Sequence, residues 1–444
     1  MKTSFKQTFS ELKQFIILWL TQSLSALGSA MTNFALVIWL YNRTGSALTT
    51  ALLTVCSYAP YVLMSIFAGA VSDRWNKKTV LLICDTLAAV CTLAVWILLR
   101  TEQLQAWHLY ALNALNGLMN TVQSPAADVA VNLLTPEEHF QKVSGLRSFS
   151  NSLVTILTPV FATALVTLMG VESVIFFDLF TFGAAFMSLL FLIRIPEEDK
   201  ARDEGEGLLD SAKAGLSWLS RNPGILWLIL FLAGINLIAS IHNAALPALV
   251  LSRPNGGEMV LGTLNSITGV ATLIGSLIVT LLPAPKSRVK VVCNSLLVSM
   301  STENFLLALS GSPWVWYLGA VLGWLVIPLM NANLNVIMRS HIPTELQGRV
   351  YSVRNSLQFF TIPLGYLLGG ALVDNVFEPL MARTDSRLLI TLFGTGKGSG
   401  AAFLYLLIGF AGVAVCLVFR NIRPIRALEA AGPAGAEEAA AETN

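Results

Sequence analysis

Long apolar runs recur along this chain, and short polar stretches separate them. A helix that crosses the roughly 30 Å hydrocarbon core of a bilayer needs about 20 predominantly apolar residues. Runs of about that length cover residues 14–41, 47–71, 79–100, 106–128, 145–169, 172–194, 223–251, 259–283, 289–310, 313–338, 350–374 and 400–420. The pattern predicts twelve transmembrane helices, six on each side of one polar stretch.

The polar stretch at 195–222 has two parts. Acidic residues are concentrated between 197 and 206, and apolar residues then recur at helical spacing, as Leu208, Leu209, Ala212, Leu216 and Leu219. This spacing is typical of a helix that lies on the membrane surface. We therefore predict a six-helix bundle at 1–194, a cytoplasmic linker with an amphipathic helix at 195–222, a second six-helix bundle at 223–420, and a disordered cytoplasmic tail at 421–444.

The composition excludes soluble proteins. Of the 444 residues, 55% are hydrophobic and 12% are charged, whereas soluble domains carry about 25% charged residues. Water-soluble enzymes, disordered scaffolds and nucleic-acid binders are therefore excluded, and the fold class is an all-α integral membrane protein. The five cysteines are dispersed within apolar runs, so we expect neither a disulfide framework nor a metal site.

The positions of the positive charges predict the orientation of the chain. With the N-terminus in the cytoplasm, most of the 28 Lys and Arg residues fall on the inner side. The six that fall outside are Arg43, Arg100, Arg253, Arg383, Arg387 and Lys397. Because cytoplasmic loops carry an excess of Lys and Arg, the bias favours twelve crossings, both termini in the cytoplasm and a multi-pass protein of the cell membrane.

The two halves of the chain share short sequence repeats. The segment at 17–20 (ILWL) recurs at 225–228, and the segment at 151–153 (NSL) recurs at 355–357 with a proline six residues after each leucine. Matches in equivalent spans of two halves indicate parallel repeats about an axis along the membrane normal. Repeats of this kind place a substrate path at their interface near the midplane, which is the layout of a transporter.

The loop between the second and third apolar runs carries the sharpest local motif. Gly69 is followed by the acidic–basic pair Asp73 and Arg74, and then by Asn76, Lys77 and Lys78. This arrangement resembles the signature loop of the major facilitator superfamily, in which a glycine stands where Asn76 stands here. Asn is the residue next best suited to a positive φ, so we expect the turn to be kept. The resemblance implies a gating role for this loop. Asp128, at the inner end of the fourth run, is a candidate partner for Arg74 or Lys77 when the cytoplasmic side is closed.

A finer resemblance points to the macrolide-efflux type of drug:proton antiporter. It is carried by Gln22, by residues 44–47 (TGSA), by the loop motif with Asp85 after it, by 133–138, Asp178, 195–196 and 348–352 (GRVYS). The fifth run departs from the exporters' pattern, because Thr158-Pro159 with Ala162 and Ala164 replaces a Gly-Pro with paired glycines. The resemblance implies twelve helices in two pseudo-symmetric bundles.

Carboxamide side chains form rows in four of the apolar runs. Asn113, Asn116, Asn120 and Gln123 follow one another at steps of three or four residues, so they share one face of a helix. Polar groups are costly against lipid, so this face should meet protein or water. In the family's architecture the first, fourth, seventh and tenth spans line the cavity, and the other three supply Gln22, Asn33, Asn236, Asn243, Asn331 and Asn335. Some of these residues are alternatively helix-to-helix hydrogen-bonding groups, and the role of Asn333 stays open.

Four titratable residues within the apolar runs are candidates for carrying protons, namely Asp85, Asp178, Glu303 and His242. Coupling needs a group that changes charge inside the membrane, and burial can bring a carboxylate into the range where it collects protons. The family match favours Asp178, which is otherwise a structural acid bonded to a neighbouring helix.

These features predict a secondary transporter that works as a monomer by alternating access, with a small amphipathic substrate, protons and membrane lipid as partners. Proton-coupled efflux of drugs or natural products is the favoured function, and a lipid or lysolipid flippase of the same fold is the alternative. A membrane-embedded enzyme is disfavoured, since no catalytic constellation is present, and the glycine-rich run at 394–400 lacks the strand and the Lys-Ser/Thr of a phosphate loop. We expect no cofactor, no metal and no nucleic-acid partner.

Overall fold

The computed structural model describes residues 11–74, 76–196, 208–343 and 346–430, and every regular element within these ranges is helical. The helices are α1 Lys13–Thr44, α2 Ala47–Arg74, α3 Lys77–Arg100, α4 Ala106–Leu133, α5 Phe140–Met169, α6 Val171–Phe191, α7 Leu208–Arg221, α8 Pro223–Ser252, α9 Glu258–Leu281, α10 Arg288–Leu309, α11 Pro313–Leu325, α12 Ile327–His341, α13 Gln347–Phe359, α14 Thr361–Leu372, α15 Glu378–Ala382, α16 Arg387–Phe393, α17 Ser399–Asn421 and α18 Arg423–Ala430. A five-residue π-helical turn, Val373–Phe377, joins α14 to α15.

By length and composition, ten helical segments of the described chain are long and apolar enough to cross a membrane. The segments Pro313–His341 and Arg349–Ala382 each combine several of the helices named above. Helix α4 is not among the ten, because its carboxamides make it less apolar, and α2 contributes a shorter apolar stretch at Ala47–Pro60. The all-α membrane class is confirmed, while the count of twelve crossings stays a prediction.

The helix ends follow local chemistry. Gly45 ends α1 in the left-handed conformation at φ 62°, which glycine adopts without a steric cost. Helices α12 and α14 each begin with a proline in the first turn, where the missing N–H leaves no hydrogen bond unmade. Prolines at 328 and 363 therefore divide two of the predicted long runs into pairs of shorter helices.

The described helices pack into two compact units. The first unit comprises Met1–Gly45, Leu52–Asp203 and Leu261–Ser266. In this unit α1 packs closely against α6. A Cβ atom added at Gly28 of α1 would lie only 2.9 Å from the Asp178 Cα atom of α6. Helix α3 packs against α4 and α6, and Val80, Leu81, Cys84, Ala126 and Leu189 form one apolar cluster at this junction.

The second unit comprises Ser46–Ala51, Glu204–Val260 and Ile267–Asn444. Helix α8 packs against α14, where Gly369 leaves room for the backbone of Ile241. Helix α10 packs against α17, where Gly412 receives the side chain of Met300. The small residues on α14 and α17 thus set the helix spacing, as expected for helices packed in a membrane.

The polar linker and the tail each contain one helix among the described residues. The predicted amphipathic segment forms α7, which packs on α13 where Gly215 lies against the Arg349 carbonyl group. The tail from 421 is predicted to be disordered, but residues 423–430 form α18 and Ile425 is fully buried. The helix forms because Leu428 packs on Gly224 of α8. Residues 197–207 and 431–444 lie outside the described ranges.

Candidate functional site

Asp85 of α3 joins three helices of the first unit. The Gln22 Nε2 atom of α1 donates to the Asp85 Oδ2 atom at 3.1 Å, and the Gln123 Nε2 atom of α4 donates to the Oδ1 atom at 2.6 Å. Each residue lies about 12–15 Å, at 1.5 Å per residue, from the end of its helix that the sequence predicts to be cytoplasmic, so all three occupy one layer. The structure therefore brings one proton-carrier candidate together with two residues of the predicted substrate cavity.

The predicted cavity residues are accessible to different degrees. Gln22, Asn113, Asn116, Gln123 and Asn236 are half-buried, and Asn33, Asn120, Asn243, Asn331 and Asn335 are exposed on the protein. Exposed carboxamides on membrane helices are costly against lipid and are expected to face water or protein. Their exposure is therefore what a polar cavity requires, while the cavity itself stays a prediction.

The carboxamide row of α4 is not uniform. The Asn113 amide donates to the Leu109 carbonyl oxygen of its own helix at 2.9 Å. The Asn116 Oδ1 atom is buried without a hydrogen-bond partner among the described residues, whereas Asn120 is exposed. The row therefore has a hydrogen-bonded member at each end, Asn113 and Gln123, and between them a buried Asn116 oxygen without a described partner and an exposed Asn120.

Asn333 of α12, whose role the sequence leaves open, is buried in the second unit. Its Oδ1 atom accepts a hydrogen bond from Arg288 at 3.1 Å, and its amide donates to the Leu329 carbonyl oxygen. The Oδ1 atom thus links α12 to α10 and the amide bonds within α12, so both ends of the side chain have partners inside the protein, which favours the structural alternative.

Asp178 of α6 is buried at the crossing of α1, α3 and α6. Its Oδ1 atom accepts a hydrogen bond from the Ser29 hydroxyl at 2.9 Å, and its Oδ2 atom accepts one from Thr92 at 3.3 Å. Only 3% of the residue is exposed. These contacts match the structural acid that the sequence leaves open as the alternative role of Asp178.

Glu303 and His242 meet in the interior of the second unit. The Glu303 Oε1 atom lies 3.6 Å from the His242 Nε2 atom and accepts a hydrogen bond from the Trp324 indole at 3.0 Å. The His242 Nδ1 atom lies 3.0 Å from the Asn304 Oδ1 atom, and Tyr405 packs edge-on against the imidazole ring. The sequence indicates the two residues separately, and the structure places them in one buried polar network.

The candidate gating loop is described in part. The surroundings of Gly69 and the side chains of Asp73 and Arg74 lie outside the described part of the structure. Asn76 has φ −60° rather than a positive φ, because it caps α3 by accepting from the Thr79 backbone N–H. Lys77 is buried. The Lys78 ammonium donates to the Leu190 and Ile193 carbonyl oxygens at the end of α6.

Asp128 of α4 forms an ion pair with Arg147 of α5. The Arg74 side chain lies outside the described part of the structure, so the predicted pairing of Asp128 with Arg74 or Lys77 stays a prediction. Arg147 comes within reach because α5 begins only a short turn after the end of α4. The contact ties together two helices that are consecutive in the chain.

We expect Asp128→Asn to lower the free energy of unfolding by at most about 1 kcal/mol, since exposed ion pairs contribute little. The Asp128 and Arg147 side chains are 54% and 44% exposed. Thermal unfolding can be followed in detergent with a thiol-reactive dye, because four of the five cysteines are buried. Arg147→Gln should give the same small change, and the double variant should add almost nothing. A much larger loss would show that the pair is shielded from water.

Two acidic residues at the ends of membrane helices were not singled out from the sequence. The Asp374 carboxylate accepts hydrogen bonds from the Ser46 hydroxyl at 2.6 Å and from the Ala47 and Leu48 backbone N–H groups at 3.0 and 2.9 Å, all within the second unit. Glu378 accepts from the Gly398 and Ala401 N–H groups. The partners of Asp374 are more than 320 residues away in the chain, so no local signal indicates the contact.

Comparisons with known proteins agree with the helical architecture. The family model described as Major Facilitator Superfamily matches residues 18–366. The chain is 23% identical over 367 residues to macrolide efflux protein A of Streptococcus pyogenes, covering 82% of this chain and 90% of that protein. It is 24% identical over 360 residues to multidrug efflux pump Tap of Mycolicibacterium fortuitum, covering 78% and 86%.

Solved structures show the same fold at lower identity. A mutant of nucleoside transporter NupG superposes with a TM-score of 0.70 at 14% identity, covering 92% of this chain and 98% of that chain. A bacterial homologue of the iron transporter ferroportin, in an inward-facing state, superposes with a TM-score of 0.67 at 15% identity, covering 95% and 100%.

Proposed function

Because the chain belongs to the Major Facilitator Superfamily, we propose that this multi-pass membrane transporter exports amphipathic drugs or natural products. The observation that carries the proposal is the similarity to two differently named efflux proteins over about four-fifths of the chain. The half-buried and exposed carboxamides on membrane helices support it, because neutral polar groups beside apolar surface suit a bulky amphipathic compound better than a sugar or a phosphate.

Transport is proposed to proceed by alternating access and to be driven by protons. The groups available to carry a proton are Asp85, Asp178 and the Glu303–His242 pair, each of which lies within a membrane helix. A chain with both termini in the cytoplasm, acting as a monomer in the cell membrane, is part of the same proposal. The excess of Lys and Arg in the inner segments supports this orientation.

Cells that produce the protein should accumulate less of an amphipathic dye than control cells, and a protonophore should remove most of the difference. The protonophore abolishes the proton gradient, so a proton-driven exporter loses its energy source while an ATP-driven pump keeps its own. The assay compares ethidium with a fluorescent lysolipid. Exclusion of ethidium supports drug export, and selective movement of the lysolipid would favour a flippase instead.

Asp73→Asn should reduce dye export at least several-fold while the amount of protein in the membrane stays unchanged. The basis is the gating role that the family motif implies for the loop at 69–78. Immunoblots of membranes measure insertion, and Asp203→Asn in the acidic linker serves as a control that also removes one inner-side acid. Export that is unchanged in the Asp73 variant would exclude the gating role.

A further inference from the structure

The hydrogen-bond polarity of the site around Asp85 points to a role that rests on the proposed export function. An ionised carboxylate can only accept hydrogen bonds, whereas a glutamine amide both donates and accepts. Both Asp85 oxygens are occupied by amide N–H groups, one from Gln22 and one from Gln123. Each glutamine must therefore point its nitrogen at Asp85 and turn its amide oxygen away.

Both glutamines lie on helix faces that the sequence predicts to meet substrate. Gln123 continues the face of α4 that carries Asn116 and Asn120, and Gln22 lies on the face of α1 that carries Asn33 three turns later. Among the described residues, none donates a hydrogen bond to either glutamine oxygen. The two oxygens are thus available to accept hydrogen bonds from a ligand.

The charge of Asp85 is not neutralised by a described basic side chain. The helices packed against α3 carry titratable groups, but these have other partners: Asp178 is bonded to Ser29 and Thr92, and Asp128 is paired with Arg147. The neighbouring Cys84 thiol points to the Met119 carbonyl oxygen. Ionised Asp85 therefore gives this layer of the first unit a negative charge that no described basic side chain pairs with.

Protonation of Asp85 would reverse this arrangement. A proton on one carboxylate oxygen makes that oxygen a donor, so the glutamine facing it has to turn its amide and present its oxygen to the new O–H group. The amide nitrogen of that glutamine then faces the ligand, and the negative charge is lost. The same proton thus converts an anionic, hydrogen-bond-accepting surface into a neutral surface with a donor.

We propose that Asp85, Gln22 and Gln123 form a proton-controlled recognition site that selects amphipathic cations bearing N–H donors. Loading requires the ionised form, since both the charge and the amide oxygens favour such a ligand. Arrival of a proton at Asp85 weakens binding and releases the ligand. Because linkage is reciprocal, the bound cation also opposes protonation of Asp85. Exchange of one proton for one cation follows from this competition.

The test measures ligand binding to the purified full-length protein in nanodiscs from pH 8 to pH 5. The probes are ethidium, a permanent cation with N–H donors, and tetraphenylphosphonium, a permanent cation without donors. Neither probe changes charge over this range, so any pH dependence belongs to the protein. We expect ethidium to bind the wild type at least 10-fold more weakly at pH 5 than at pH 8. Asp85→Asn should bind it weakly at both pH values.

Two further variants separate the charge from the hydrogen bonds. Gln123→Leu should weaken ethidium several-fold and leave tetraphenylphosphonium nearly unchanged, because only ethidium uses the amide oxygen. Glu172→Gln removes an acid that pairs with Arg100 on the surface of the same unit, and it should keep the wild-type pH dependence. If Asp85→Asn still binds ethidium in a pH-dependent way, the proposal is overturned. It is also overturned if the pH dependence is lost in Asp178→Asn or Glu303→Gln but not in Asp85→Asn.

A measurement without ligand keeps the proposal separate from the export function. Infrared difference spectra between pH 8 and pH 5 should show a carboxylic acid band together with a glutamine amide change. Both should be absent from Asp85→Asn, and the amide change should be reduced in Gln123→Leu. A wild type that binds ethidium with the expected pH dependence but does not export it would contradict the export function alone, whereas a wild type that does not bind ethidium at pH 8 overturns the recognition site. Spectra identical in the wild type and Asp85→Asn would overturn the coupling of Asp85 to the glutamines.

Discussion

Gly117→Ala is expected to destabilise the first unit by about 3 kcal/mol or more, at or above the upper end for overpacked cores. A Cβ at Gly117 would lie 2.8 Å from the Ser57 carbonyl carbon and would overlap the carbonyl oxygen. The obstacle is the backbone of α2, which cannot rotate away as a flexible side chain would. Helices α2 and α4 would have to separate by about 1 Å, with loss of contacts along both helices.

The matched control is Gly145→Ala, which makes the same change inside a helix of the same unit. A Cβ at Gly145 would meet no atom within 4 Å. Because Ala favours a helix over Gly by about 1 kcal/mol, this variant should unfold at the same temperature as the wild type or slightly higher. Thermal unfolding with the thiol-reactive dye measures both variants. Equal unfolding temperatures for the two would show that α2 and α4 are not in close contact.

The positions of most helices can be predicted from the sequence, because a segment that crosses lipid must be apolar and must satisfy its backbone hydrogen bonds within a helix. Apolar runs of about 20 residues predict helices, and Gly45 and Asn76 at their ends explain where α1 stops and α3 starts. The breaks near 326 and 360 do not follow from the pattern, because the runs predicted at 313–338 and 350–374 continue through both positions. The prolines at 328 and 363 were visible, but a proline in a membrane helix causes a kink as readily as a break.

The candidate site was predictable in its residues but not in its groupings. The sequence indicates Asp85 as one of four candidates for carrying a proton, and Gln22 and Gln123 as candidate cavity residues. Their contact depends on the rotation of three helices about their axes, which spacing within one helix does not determine. The one indication of this contact in the sequence is that the three residues lie at similar distances from the helix ends predicted to be cytoplasmic. In the same way, Glu303 and His242 are 61 residues apart in the chain, and only packing of α8 against α10 makes them neighbours.

Asp374→Ala is expected to destabilise the second unit by about 2 kcal/mol, the upper end for loss of a helix cap. The substitution removes the acceptor for three donors at the start of α2, the Ser46 hydroxyl and two backbone N–H groups. A negative charge at a helix N-terminus is also favoured by the helix dipole. The π-helical turn at Val373–Phe377 contains Asp374 and is flanked by Gly370, against which the Leu48 backbone packs.

Asp374→Asn provides the control that separates the charge from the hydrogen bonds. Asn keeps one acceptor oxygen and the same side-chain length, so it should recover about half of the lost stability. Ser46→Ala removes only the hydroxyl donor, so it should lower the stability less than Asp374→Ala does. The double variant should lose only slightly more stability than Asp374→Ala, because the one further contact it loses is the Ser46–Thr49 hydrogen bond. Additive losses would mean that Ser46 and Asp374 act independently. Sub-additive losses would show that the carboxylate and the hydroxyl stabilise the start of α2 together.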